Sequence, residues 1–397
     1  MEIKREIATA LINDLSEKAI TILIGARQVG KTFLLKMIAE HAAAQGLKAA
    51  FFDLEQPDVL AKFNQKDSQV IKLIVEAGNV VFIDEFHYIK NASRIFKAIY
   101  DSGEKVKIFA SGSSSLEIHK HLKESLAGRK LIYRICPCSL DEIAQVISDQ
   151  PLNYYFCYGG LPGLINLADE EKKKKTLVDI LQSYILKDIK SLIKEENIRA
   201  FNNLLFLLAQ YQGSVVATSN LAREVGLTAK TIEAYLEILA QTYVNFPLHS
   251  YSRNFANELK KSKKYYLFDL GIRNALLKNF SPLSDRTDAG FLLESFVFSE
   301  LNLKQTPETE LRFWRLKDGS EVDFIWIRNQ KAYPIEVKMS CQSGEIPQGI
   351  KMFIDRYPKT KKAFIINKDI SSQTKYADTE IIYKKWAETA AIPLEAD

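Results

Sequence analysis

The tightest constraint on this chain lies near its start, where Ile20-Thr21-Ile22-Leu23-Ile24 runs straight into Gly25-Ala26-Arg27-Gln28-Val29-Gly30-Lys31-Thr32. An apolar β-branched run, a glycine-framed loop and a helix-forming stretch over residues 33–44 follow in that order. The loop matches the phosphate-binding pattern G-x-x-x-x-G-K-[ST] in full. Gly25 and Gly30 permit the φ > 0 turns that point successive backbone N–H groups inward, and the following helix adds its positive end. Lys31 is placed to reach the β- and γ-phosphates, and the Thr32 hydroxyl to ligate Mg²⁺. Gly25, Ala26, Arg27, Gln28, Val29, Gly30, Lys31, Thr32 and Phe33 are therefore the expected ATP-binding set.

A chain of 397 residues is long enough for two to four domains. Net charge is +5, a mild basic balance compatible with a polyanionic partner. Cys136, Cys138, Cys157 and Cys341 form no C-x-x-C pair, which fits buried thiols in a reducing cytoplasm. The acidic, short N-terminal stretch is no signal peptide, and no apolar run approaches membrane-spanning length, so a cytoplasmic protein is expected.

Short, continuously apolar stretches at 20–24, 49–54, 80–84, 106–110 and 131–135 alternate with helical patterns at 33–44, 59–77, 92–101 and 116–126. That alternation predicts an α/β fold with a parallel sheet covered on both faces and its ligand at the carboxyl ends of the strands. The run Val80-Val81-Phe82-Ile83-Asp84-Glu85 ends a buried strand in two carboxylates. Asp84 would hold the Mg²⁺ shell and Glu85 would orient or deprotonate the attacking water, which marks hydrolysis rather than nucleotide storage. In Ser111-Gly112-Ser113-Ser114-Ser115, Ser111 is assigned to sensing the γ-phosphate and Ser115 to capping the next helix. Arg129, after Ala127-Gly128, has two readings, a finger reaching a neighbouring subunit's site in a homo-oligomer or an ordinary surface arginine.

These motifs, together with Tyr158-Gly159-Gly160-Leu161-Pro162, Tyr265-Tyr266-Leu267-Phe268-Asp269-Leu270-Gly271 and Ile335-Glu336-Val337-Lys338, resemble a family of prokaryotic AAA+ ATPases. Members join the ATPase to a C-terminal region that ends in a nuclease-like fold. The resemblance covers nearly the whole chain and implies a P-loop AAA+ domain over residues 1–150 and a helical lid over 151–199.

From residue 200 to 285 the pattern changes. A helical stretch at 201–211 is followed by two short helices, capped near Ser219 or Asn220 and at Thr228 and separated by Gly226. That is a helix-turn-helix layout. Lys230 stands among Glu233 and Glu237, a poor surface for phosphates, whereas Arg253, Lys260, Lys261, Lys263 and Lys264 make the following hairpin basic. Two readings stand, a winged helix whose wing meets DNA and a module used for packing.

In residues 286–397, Glu321-Val322-Asp323-Phe324-Ile325-Trp326-Ile327 and Tyr333-Pro334-Ile335-Glu336-Val337-Lys338 both alternate with period two. Centring the turn between them on Asn329-Gln330 sets Asp323 opposite Glu336 and Glu321 opposite Lys338. Opposed carboxylates about 5 Å apart repel unless a cation lies between them. The spacing D-x12-E-x-K is that of the PD-(D/E)xK nucleases, with Val322 where their proline stands. Asp323 and Glu336 are the expected metal ligands, Glu294 the fourth member by resemblance, and Lys338 the residue that orients the attacking water. The competing reading is an ion-paired face with Lys338 bridging Glu321 and Glu336. The functional expectation is thus an ATP-hydrolysing AAA+ protein acting on DNA through a restriction-endonuclease-like domain. Its alternative is an ATP-switched DNA- or protein-binding regulator whose last domain does not cut.

Overall fold

The computed structural model describes residues 3–113, 126–183, 197–252 and 263–391. They fall into two compact units. The first comprises Met1–Cys138, Leu161–Asn166 and Glu237–Val244, and the second Ser139–Gly160, Leu167–Leu236 and Asn245–Asp397.

In the first unit β1 (Ile20–Gly25), β2 (Ala49–Asp53), β3 (Val80–Asp84), β4 (Lys107–Ser113) and β5 (Lys130–Arg134) form one parallel sheet in the order β2-β3-β4-β1-β5. Every residue of β1 and β3 is buried, which is why both read as unbroken apolar runs. Alternate residues serve opposite faces. Ile20, Ile22, Ile24, Val81, Ile83, Ile108 and Ala110 share a core with Val70 and Ile74 of the Asp67–Ala77 helix and with Ile95, Phe96 and Ile99 of the Ala92–Ser102 helix. Each such aliphatic side chain removed from water is worth roughly 1.5–3 kcal/mol. Phe51, Phe82 and Phe109, one from each of β2, β3 and β4, stack side by side at 6.3 and 5.2 Å between centroids. The expected helix at 59–77 is two helices, Pro57–Phe63 and Asp67–Ala77, with Pro supplying the first turn of the former. The helix expected at 116–126, with Ser114 and the cap at Ser115, lies outside the described residues.

In the second unit the helices Ile198–Gln210 and Thr218–Val225 and the start of Ala229–Gln241 precede the hairpin of β6 (Asn245–Leu248) and β7 (Lys264–Leu267). A six-stranded sheet follows, built from β8 (Thr309–Arg315), β9 (Glu321–Arg328), β10 (Lys331–Val337), β11 (Lys362–Asn367), β12 (Ser372–Tyr376) and β13 (Thr379–Lys385). Its order is β12-β13-β11-β10-β9-β8, with parallel pairing at β10–β11 and β11–β13. His249 to Tyr251 extends its β8 edge, Phe313 N–H donating to His249 O and Tyr251 N–H to Phe313 O. Trp314, Val322 and Ile325 pack with Ile350, Phe353 and Ile354 of the Gln348–Arg356 helix. Tyr266 of β7 stacks on Phe298 of the Ala289–Leu303 helix at 4.1 Å, and Phe298 and Phe324 are 6.4 Å apart. All four cysteines are free, and among the described residues no helix is long and apolar enough to cross a membrane.

Candidate functional sites

In the first unit the loop after β1 takes the backbone its glycines allow. Gly25 has φ 152° and Gly30 φ 96°, and a Cβ on Gly25 would stand 2.2 Å from Ile135 O. Gly30 caps the Lys31–Ala44 helix, so the helix's N-terminal dipole points into the loop. A cavity of about 810 Å³ opens there, its wall including Arg27, Gln28, Gly30, Lys31, Thr32, Phe33 and Glu85. The side chains of Ala26 and Val29 are buried, leaving these two residues only backbone groups to offer.

Lys31 Nζ donates to Gly25 O at 3.1 Å and Ala26 O at 2.8 Å. Burial pushes its pKa down, against the pull of Glu85 and Asp84. The Thr32 hydroxyl donates to Asp84 Oδ2 at 2.6 Å, so the two groups expected to share Mg²⁺ are adjacent. Asp84 Oδ1 accepts from the Glu85 N–H at 3.2 Å and from the Ser111 hydroxyl. Ser111 is fully buried and is absent from the cavity wall. Its hydroxyl is directed at Asp84 rather than lining the cavity. Glu85 takes a left-handed conformation, φ 55° and ψ 47°, which turns its side chain off the strand direction, with the carboxylate 3.1 Å from His87 Nδ1. Arg129 forms a two-pronged pair with Asp101 of its own chain, at 2.7 and 3.2 Å.

Three contributions to this cavity were not anticipated. Arg5 is buried, donating to Val29 O at 2.9 Å and Cys136 O at 2.8 Å, and thereby ties the loop to the end of the sheet. No local pattern around Arg5 announces this, since the link spans 131 residues. Pro162 and Gly163 also line the cavity, and the Gly-Gly-Leu-Pro-Gly run was the signal that could have placed them there. Glu55, just after β2, is the third.

In the second unit β9 and β10 pair as Arg328–Lys331, Ile327–Ala332, Trp326–Tyr333, Ile325–Pro334 and Phe324–Ile335. The paired register ends one step short of Asp323 and Glu336, and Asp323 Oδ2 accepts from Val337 N–H at 2.8 Å. The side chains differ from the expected four-member metal cluster. Lys264 of β7 has no solvent exposure and sets Nζ 2.9 Å from Glu294 Oε1, 2.5 Å from Glu321 Oε1 and 3.8 Å from Asp323 Oδ1. The Tyr266 hydroxyl donates to the same Glu294 oxygen at 2.5 Å. Glu294 is thus held by Lys264 and Tyr266, and among the described residues no group of three or more His, Cys, Asp or Glu is disposed to hold a metal ion. Burial would lower the Lys264 pKa, but Glu294, Asp323 and Glu321 more than offset it and hold the ammonium above its ordinary value.

The bridging cation expected from Lys338 is therefore Lys264 on this side, while Lys338 Nζ pairs with Glu336 Oε1 at 2.8 Å. The other oxygen, Glu336 Oε2, is buried without a hydrogen-bond partner. Burial and Asp323 push the Glu336 carboxyl well above its usual range, opposed by Lys338. Lys264 is also removed from the basic wing surface expected around it, because its charge is turned inward. Arg253, Lys260 and Lys261 lie outside the described residues.

Residues 17–144 match a family described as AAA domain. The first of these sites lies within the part of the chain that matches this family. Residues 149–283 and 289–384 match two families, each described as a domain of unknown function, DUF8612 and DUF4143. The chain is 28% identical over 344 residues to an uncharacterised protein of Methanocaldococcus jannaschii, covering 81% of this chain and 74% of that one. It is 24% identical over 386 residues to an uncharacterised protein of Haemophilus influenzae, covering 92% of each. Among solved structures, AMPPCP-bound DnaA from Aquifex aeolicus is 12% identical with a TM-score of 0.34, over 59% of this chain and 86% of that one.

Proposed function

We propose that the chain hydrolyses ATP in its first unit and that this cycle switches a DNA-binding second unit. The observation carrying the reading is the Ser111–Asp84–Thr32 chain of hydrogen bonds beside Glu85 on the cavity wall. In this reading Lys31 leaves the loop carbonyls for the phosphates, and Thr32 and Asp84 hold Mg²⁺. The ion supplies charge neutralisation on the phosphate oxygens. Glu85, already turned into the cavity, orients the attacking water. DNA binding is supported by the order of three helices and a hairpin at residues 198–267, which is that of a winged helix. Arg129 acting in a neighbouring copy belongs to the same proposal and would require it to leave Asp101. Mixing Arg129→Ala with Lys31→Ala chains should then restore hydrolysis.

One observation favours a second reading, in which the last domain cuts. Glu336 Oε2 is a buried oxygen without a partner, next to Asp323 and Lys338. Asp323 and Glu336 would hold one divalent cation, and Lys338 would orient a water against a phosphodiester. Phosphate release from ATP, and cleavage of supercoiled and linear DNA across Mg²⁺ and Mn²⁺ with and without ATP, test both readings together. ATP turnover and DNA binding without cleavage support the switch, and cleavage abolished by Asp323→Asn supports the second reading. Absence of ATP turnover would sink the first.

A further inference from the structure

Lys264 sits at the centre of an arrangement whose economy is unusual. A single fully buried ammonium, delivered by β7, is surrounded by carboxylates from three other places in the sequence: Glu294 on a helix, and Glu321 and Asp323 on β9. Removing an ammonium from water costs several kcal/mol, and only a close, well-satisfied set of anions offsets that. The set here is close. Oxygens stand 2.9 and 2.5 Å from Nζ, and a third is 3.8 Å away. Glu294 is fixed further by the Tyr266 hydroxyl, and Glu321 by Arg315 Nη1 at 3.2 Å. Ca²⁺ takes oxygens at about 2.3–2.6 Å in a flexible geometry, so with the ammonium gone the Glu294 and Asp323 oxygens, 2.9 and 3.8 Å from that point, would have to close in around an ion.

We infer that Lys264 Nζ is a built-in cation standing where a divalent ion would otherwise be held, so that Glu294, Glu321 and Asp323 are satisfied by the chain itself. Any exchangeable cation is thereby confined to the Glu336 side, and that second half alone rests on the cutting reading. The inference differs from an ordinary buried ion pair in one consequence. Deleting the ammonium while keeping the carboxylates converts the inner cluster into a metal site rather than merely damaging the fold.

The test uses the full chain without nucleotide, in EDTA and then in a Ca²⁺ titration followed by calorimetry and melting temperature. Lys264→Met should melt lower than the native chain in EDTA and recover on adding Ca²⁺. The rise should be on the order of 5 °C or more at 100 times the dissociation constant. Calorimetry should show one Ca²⁺ site more than in the native chain. The companion Lys264→Met/Glu294→Gln/Glu321→Gln, which removes the repulsion with its cause, should fold in EDTA and lack that additional site. If Lys264→Met is unfolded in EDTA, recovery of its circular dichroism with Ca²⁺ supports the inference. Failure to recover while the companion is folded overturns it, as does a folded Lys264→Met that gains no site. The cutting reading fails separately, through absence from the native chain of any site sensitive to Glu336→Gln, with the gain in Lys264→Met intact.

Discussion

At the scale of single residues, the nucleotide cavity divides its work in a way that kinetics can separate. Lys31 carries a charge held among loop carbonyls, whereas Glu85 reaches the cavity from a left-handed backbone. Lys31→Ala should abolish tight ATP binding, measured by fluorescent-nucleotide titration. Glu85→Gln should bind as tightly as the native chain and lose about 10²-fold or more in turnover. Undiminished hydrolysis in the glutamine variant would remove Glu85 from the mechanism. Arg5 belongs to neither role. Its guanidinium bridges Val29 O and Cys136 O, and hydrogen bonds from a charged group are worth roughly 1.5–3 kcal/mol each. It is a positioning residue, so Arg5→Ala should raise the KM for ATP about tenfold with a smaller change in kcat. Arg5→Lys, which keeps the charge and loses the planar fork, should recover only part of that. Equal losses of kcat and kcat/KM in both variants, with KM unchanged, would place Arg5 in the chemistry instead. Lys31, Thr32, Asp84 and Glu85 were legible because the phosphate loop and the strand-end acids are local patterns. Arg5 was not, because its partners are set by tertiary packing alone.

At the scale of elements, the β9–β10 hairpin was readable to the residue. Period-two alternation on both strands left one centre for the turn, and a one-residue slip would have moved every core side chain to the wrong face. Asn329 and Gln330 have φ 48° and 62°, both in the left-handed region that a two-residue hairpin turn with this twist demands. Asn tolerates that region and Gln does not, at a cost of about 1–2 kcal/mol for an ordinary residue. Gln330 is exposed, so Gln330→Gly relieves the strain without removing packing. The variant should be more stable by up to about 1 kcal/mol, after the extra chain entropy of glycine is subtracted, seen as a higher urea midpoint at unchanged slope. A lowered midpoint would mean that the Gln330 side chain contributes more than its backbone costs. The contents of the face beside this hairpin were less legible. Alternation placed Glu321, Asp323, Glu336 and Lys338 together, but nothing in the sequence between 264 and 321 signals that β7 would turn Lys264 inward among them. A lysine next to Lys263 in a basic stretch reads as surface, and its strand is oriented by pairing with β6 and by the stacking of Tyr266 on Phe298.

At the scale of the whole molecule, the second unit stores acidic groups that resist ionisation, and this gives the chain a pH dependence of definite sign. Burial pushes Glu294 up to about 7, with Lys264 opposing and Asp323 reinforcing, and Glu336 is raised for the reasons given above. In the unfolded chain both carboxyls lose their protons near 4.5. Above that pH the folded state therefore holds protons that the unfolded state has released. For a raised carboxyl, stability therefore falls as pH rises from the unfolded value to the folded pKa and levels off above it. His249 works the other way. Burial, aided by Lys263 and Arg312, lowers it to about 4, so its effect is confined below the unfolded value of 6.5. From pH 6.5 to 7.5 only the tail of that opposite contribution remains, and the carboxyls dominate. Urea midpoints should fall across that unit of pH, by up to about 1.4 kcal/mol for each proton released. Glu294→Gln, which keeps the shape and cannot ionise, should flatten part of the slope, and Glu294→Gln/Glu336→Gln most of it. A native chain whose stability is level or rising between these two pH values would mean that Lys264 and Lys338 keep both carboxylates ionised. The cluster would then be a fully charged ion network rather than one that shares protons.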